Sequence, residues 1–207
     1  SVPANRAVCE SDGIINLTGT VGGGAVSGVW QVVPGNGNGV LSASNYNPGT
    51  GEVTATYVSD VTDVGTAVVL RLFAADPDGS GPCTADFADQ TIQIDESAKV
   101  DAGLDQAICA DEVATLNGSV FGAATSGNWT WVSGGDGLGV IGDPNSPVTT
   151  YTPSANDQAN GAIVTLRLTT NNPGTTCGIV SDETVITVNQ LPGSFFSGLA
   201  GTYQEDY

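Results

Sequence analysis

Residues 17–30 read LTGTVGGGAVSGVW, and residues 116–129 read LNGSVFGAATSGNW. The two stretches align without a gap and are identical at eight of fourteen positions: Leu, Gly, Val, Gly, Ala, Ser, Gly and Trp. Self-similarity at a domain-sized period marks tandem units, each long enough to hold its own core. The match continues outward from this stretch. Cys9 answers Cys109, GTAVVLRL (65–72) answers GAIVTLRL (161–168), Pro77 answers Pro173, and Cys83 answers Cys177. A Tyr at 57 or 151 precedes the LRL strand, and TIQID (91–95) answers VITVN (185–189). The first copy is longer in its middle, LSASNYNPGTGEVTATYVSD (41–60), so the loops differ between copies.

Val68, Leu70 and Leu72 alternate with Val69, Arg71 and Phe73, as Val164, Leu166 and Leu168 alternate with Thr165 and Arg167. Period two predicts strands. The same alternation puts Trp30 with Val32, and Trp129 with Trp131, on one face, and the expectation is that Trp30, Trp129 and Trp131 are core aromatics. Gly-rich clusters such as PGNGNG (34–39) and SGGDG (133–137) supply the turns. Short strands separated by turns predict an all-β chain of two tandem Ig-like antiparallel β-sandwich domains in an end-to-end array. The predicted domains are residues 1–96 and 97–190, with 191–207 left over and the junction at DESAKVDAG (95–103).

Charge narrows the function. The chain has 207 residues, four Lys and Arg, 22 Asp and Glu and no His, for a net charge of −18. Nucleic acid is excluded as a partner, because binding it rests on neutralising phosphates with Lys and Arg. An anionic membrane surface would be repelled, and no run of 18 apolar residues suggests direct membrane insertion. Both ends of the sequence look abrupt, so a fragment of a longer exported chain is expected. Without His, Ser-His-Asp and Cys-His catalytic sets and His-ligated zinc sites cannot be built. Scattered acids in turns do not make a glycosidase pair. The expectation is a non-enzyme with no catalytic residues.

Cys9, Cys83, Cys109 and Cys177 could be free thiols, metal ligands or disulfides. There is no CxxC spacing, and two thiols per unit fall short of a tetrahedral site. The paired reading joins Cys9 to Cys83 and Cys109 to Cys177, closing loops worth roughly 4.5 kcal/mol in the loop-entropy model, in an oxidising compartment. No metal or other cofactor is required. Calcium stays as an alternative, because Asp76, Asp78 and Ser80 in DPDGSG (76–81) begin like an EF-hand loop. The bidentate acid of such a loop would fall at Phe87, however, and NNPGTTC in the second copy has no carboxylate. Asp101 and Asp105 near the junction are a further calcium option. Arg71 and Arg167, between leucines at matching places, predict cross-strand ion pairs.

The pattern LxGxVxGxAxSGxW, then Tyr, GxxVxLRL and a second Cys resembles the Ig-like or PKD-like tandem repeats of giant cell-surface adhesins from Bacteroidetes. The second unit, from VDAGLDQAICADE to CGIVSDETVITVN, is similar to repeats of the gliding-motility adhesin SprB. The resemblance implies type 9 secretion, display at the extracellular cell surface, and a structural spacer or stalk in gliding motility or surface attachment. Its implied partners are neighbouring repeats of the same long chain and, as a further option, surface polysaccharide. The alternative function is a glycan-binding or calcium-dependent adhesive module, with the insert around Tyr46 as a feature of one copy alone. The resemblance also makes LPGSFFSGLAGTYQEDY (191–207) the start of a truncated third repeat, with Phe195, Phe196, Leu199 and Tyr203 on its first strand and Gln204 where the pattern has Cys.

Overall fold

The computed structural model describes residues 1–78, 81 and 84–191. Cys83, Ser80 and the expected third-repeat strand at Phe195–Tyr203 lie outside the described residues. The chain divides into two compact units. The first comprises Ser1–Lys99, Phe121–Thr125 and Asn172–Ile179, and the second Val100–Val120, Ser126–Asn171 and Val180–Tyr207. Three stretches that the sequence places at 97–190, namely 97–99, 121–125 and 172–179, group with the first unit.

The first unit contains β1 (Arg6–Cys9), β2 (Ile14–Thr20), β3 (Gly28–Val32), β4 (Val40–Leu41), β5 (Asn45–Asn47), β6 (Glu52–Val58), β7 (Ala67–Ala74) and β8 (Asp86–Asp95). One sheet runs β1-β8-β7-β3 and the other β2-β6-β4, with β5 also on β6. Taking β2, β3, β4, β6, β7 and β8 as B, C, D, E, F and G, these are the CFG and BED halves of an Ig-type sandwich. The longer middle of this copy supplies β5. β9 (Ala98–Asp101) follows, and later pairs with β12.

The second unit repeats the plan with β10 (Gln106–Cys109), β11 (Ala114–Asn117), β12 (Ser119–Gly122), β13 (Gly127–Ser133), β14 (Val140–Ile141), β15 (Val148–Thr152), the short α1 (Ala155–Asn160), β16 (Ala162–Thr170) and β17 (Ser181–Asn189). Its sheets run β10-β17-β16-β13 and β11-β15-β14. In each unit the first strand joins the last in parallel, Cys9 opposite Asp95 and Cys109 opposite Asn189. The other pairings within these sheets are antiparallel.

The opening motif is a packing device. Trp30 and Trp129 are each 2% exposed, on β3 and β13. The glycine of LxG lies under the indole: a Cβ on Gly19 would stand 2.6 Å from Leu72 and 3.1 Å from the Trp30 ring. On Gly118 it would meet Leu168 at 2.6 Å and the Trp129 ring at 2.8 Å. Each indole Nε1 donates across the sandwich, Trp30 to the Val53 carbonyl at 3.1 Å and Trp129 to the Pro147 carbonyl at 2.9 Å. Around them lie Leu17, Val68, Leu70, Leu72, Ile92 and Ile94 in the first core, and Leu116, Val164, Leu166, Leu168 and Ile186 in the second. Leucines thus fill the space that an inter-sheet disulfide takes beside the Trp of antibody domains.

Trp131 is not a core residue. Period two places it on the inward face opposite Leu166, but it stands at the end of an edge strand, just before a bulge at Val132. Its ring covers the turn at 134–137, its Nε1 donates to the Gly134 carbonyl at 3.1 Å, and 47% of it stays in solvent.

Candidate functional site

The cysteines bond otherwise than the paired reading holds. Cys9 is joined to Cys177, with Cα atoms 5.0 Å apart, and Cys109 is a free, exposed thiol. The parallel pairing explains why. Cys9 lies beside Asp95, at the C-terminal end of β8, and Cys83, which the paired reading joins to it, lies outside the described residues. Cys109 lies beside Asn189, the last residue of β17, whereas Cys177 precedes Ser181, its first. At about 3.3 Å per residue, the length of β17 is roughly 25–30 Å, far beyond the reach of a disulfide. Cys109 and Cys177 thus flank opposite ends of β17.

Around Cys9 the first unit builds a polar cluster. The Cys9 backbone N–H donates to Asp12 at 3.1 Å, holding the short turn of 3-10 helix at Glu10–Asp12. Asp95 accepts from the Thr176 N–H at 3.0 Å and the Thr176 hydroxyl at 2.8 Å, fixing the residue before Cys177. Glu10 accepts from the Ser97 hydroxyl at 2.5 Å and the Ser97 N–H at 3.2 Å, and Lys99 approaches it at 3.3 Å. The Ser97 hydrogen bond, opposed by burial and aided by Lys99, holds the Glu10 carboxyl below its usual range.

A second device, a tyrosine–aspartate latch, was not expected from the pattern of the sequence. Tyr57 donates its hydroxyl to Asp63 at 2.6 Å, and Asp63 also accepts the backbone N–H groups of Asn38, Gly39 and Asp60. The Gly39 N–H also points to the Tyr57 hydroxyl at 2.8 Å, and a Cβ on Gly39 would lie 2.6–2.7 Å from the tyrosine ring and hydroxyl. One buried carboxylate thus closes the loop between β3 and β4 onto the loop after β6. In the second unit Asp157, also buried, accepts the Asp136 N–H at 3.0 Å beneath Tyr151. The signal was present as Tyr-x5-Asp in both copies, YVSDVTD and YTPSAND. A charged residue in a turn reads as solvated, and that default hid it.

Burial works to raise the Asp63 carboxyl, but the hydrogen bonds from Tyr57, Asn38, Asp60 and Gly39 together outweigh it and hold it below the usual carboxylate range. Burial first, then the bond to Asp63, pushes the Tyr57 phenol far above its usual range. A carboxyl depressed by folding contributes stability that is full above its unfolded value and lost as pH falls through the folded one. The first unit is therefore expected to lose stability as pH drops below about 4, and Asp63→Asn is expected to flatten that acid limb. Urea midpoints measured from pH 7 to pH 2 check this, and an unchanged acid limb in the variant would refute the latch.

The remaining candidates lie apart from these clusters. Asp76 accepts the Asp78 N–H at 3.1 Å, a local turn, and Phe87 packs on β8 against Phe73 at 5.8 Å with the Arg71 guanidinium 3.9 Å over its ring. Asp101 accepts from Gly103 and Asp105 from Val185, both at 2.8 Å. Tyr46 is partly buried against the first core. Arg71 makes a two-pronged pair with Asp89 at 2.6 and 2.7 Å, and Arg167 pairs with Glu183 at 2.5 and 2.8 Å, each directly across the strands. Among the described residues no group of three or more Cys, Asp or Glu is placed to hold a metal, and no helix is long and apolar enough to cross a membrane.

No protein-family model matches the chain, and no curated protein matches it. Among solved structures it is similar to the insect immune protein hemolin, at 15% identity and a TM-score of 0.50, over 91% of this chain and 46% of that one. It is similar also to a three-Ig structure of titin, at 12% identity and a TM-score of 0.45, over 91% of this chain and 64% of that one. A structure of the first three extracellular domains of a mouse clustered protocadherin is similar at 12% identity and a TM-score of 0.42, covering 92% of this chain and 67% of that one. The chain thus spans less than two thirds of the hemolin and titin structures. The hemolin likeness agrees with the strand order in giving Ig-like sandwich domains.

Proposed function

We propose that the chain is a non-catalytic structural segment, a spacer or stalk, of a secreted cell-surface adhesin, serving surface attachment or gliding motility. The observation that carries this reading is the Cys9–Cys177 bond, which ties the start of one repeat to a segment of the next. A disulfide suits an oxidising, extracellular setting, and an acidic surface of one sign keeps neighbouring chains from sticking. The link of hemolin to homophilic adhesion is in keeping with it. Type 9 secretion, the PKD-like and Bacteroidetes affinities and contact with surface polysaccharide rest on the resemblance of the repeats. Neighbouring repeats are the partners this reading requires.

One observation favours a second reading, glycan contact: Trp131 offers a half-exposed indole where the first copy has Val32. Sugars stack on such rings. A glycan array probed with the chain separates the two. A blank array, unchanged by added calcium, is expected of a spacer, while a specific signal lost in Trp131→Ala would replace the spacer by a lectin.

A further inference from the structure

Cys109 occupies in the second unit the position that Cys9 occupies in the first. Both end a strand paired in parallel to the last strand, at matching partners Asp95 and Asn189. Both have a backbone N–H held by an acid three residues on, Asp12 for Cys9 and Glu112 for Cys109 at 2.9 Å. At Cys9 the corner is filled. Cys177 is bonded to it, Thr176 is held by Asp95, and Ser97 sits on Glu10. At Cys109 the thiol is free and exposed, and the next residue, Ala110, lines a cavity of about 530 Å³ together with Asp111, Ala155, Gln158, Gln190 and Leu191. The contact at Glu10 and Ser97 has an apolar counterpart here: Ala110 stands for Glu10 and Leu191 for Ser97. The occupant of the filled corner is the segment Asn172–Ile179, a piece of the second sequence copy.

We propose that Cys109 is the half-site of an inter-repeat disulfide, taken by the second cysteine of a following copy of this repeat. Repeats of this kind then form a staggered ladder, each first cysteine bonded to the second cysteine of the copy after it. The second copy shows why a stagger is needed, because Cys109 and Cys177 flank opposite ends of β17 and cannot meet. Closing the bond takes two protons and two electrons from the two thiols, and a small disulfide such as oxidised glutathione accepts both, leaving as two thiols. The inference rests on the repeat geometry and stands whether or not the repeats belong to an adhesin.

The test is a chain in which Gln190 is followed directly by a second copy of residues 97–190, which keeps the spacing between copies. After oxidation with glutathione disulfide, non-reducing peptide mapping is expected to recover Cys9–Cys177 and a new bond from Cys109 to the second cysteine of the added copy. In the 207-residue chain Cys109 is expected to be alkylated at least tenfold faster than in the extended one. Changing the added copy's second cysteine to Ser is expected to restore that rate while Cys9–Cys177 persists, which also shows that the chain is folded. Cys109 that stays fully alkylatable beside an intact Cys9–Cys177, or that bonds to Cys83, would overturn the proposal, as would absence of Cys9–Cys177 from the natural chain.

Discussion

Reduction of Cys9–Cys177 is expected to cost the folded chain about 2–5 kcal/mol, with the loss concentrated in the first unit. The bond closes a separation of 168 residues, for which the loop-entropy model gives about 5 kcal/mol. For a unit of this size that corresponds to a fall in melting temperature of at least ~10 °C. Because two units are present, the melting curve has to be followed by a probe local to each, not by one overall midpoint. Single-molecule extension gives an independent reading. The oxidised chain withholds 168 residues from the pulling axis, and reduction should release roughly 570 Å of contour at ~3.4 Å per residue. A Cys9→Ser, Cys177→Ser double variant should behave like the reduced chain. Equal melting and equal extension in both redox states would mean that the bond carries no load.

The error in the cysteine pairing shows what periodicity leaves out. Alternation tells which face of a sheet a residue occupies, and for Leu70, Leu72, Leu166 and Leu168 that sufficed: all four are buried. It does not tell which end of the sandwich a strand terminus reaches, and that depends on whether the first strand joins the last in parallel. Here it does, so Cys109 and Cys177 are separated by the length of β17. Asp63 and Asp157 were missed for another reason. A carboxylate is buried when backbone N–H groups converge on it, and such convergence is a property of two loops far apart in sequence. The duplicated Tyr-x5-Asp was the trace it left. Arg71 and Arg167 were legible because their acids lie directly across the strands, where register alone brings charges together.

Replacing Trp129 with Ala is expected to destabilise the second unit by about 3–5 kcal/mol, and Trp30→Ala the first by a similar amount. Both rings are buried, both rest on a glycine that leaves no room for a methyl group, and both donate Nε1 to a carbonyl, of Val53 on β6 or of Pro147 just before β15. Truncation therefore opens a large cavity and leaves the Val53 or Pro147 carbonyl without its donor, a cost of ~1–3 kcal/mol where no water replaces it. Phe at either place keeps most of the packing and loses the hydrogen bond, so it should fall between wild type and Ala. Trp131→Ala should cost less than ~1 kcal/mol, since a half-exposed ring on a turn gives up little buried area. Urea unfolding with fluorescence as the probe resolves the three, because Trp30 and Trp129 emit from an apolar setting and Trp131 from a wet one. If Trp131→Ala proved as costly as Trp129→Ala, the indole would have to lie in the core, and the exposed ring on which the glycan reading depends would not exist.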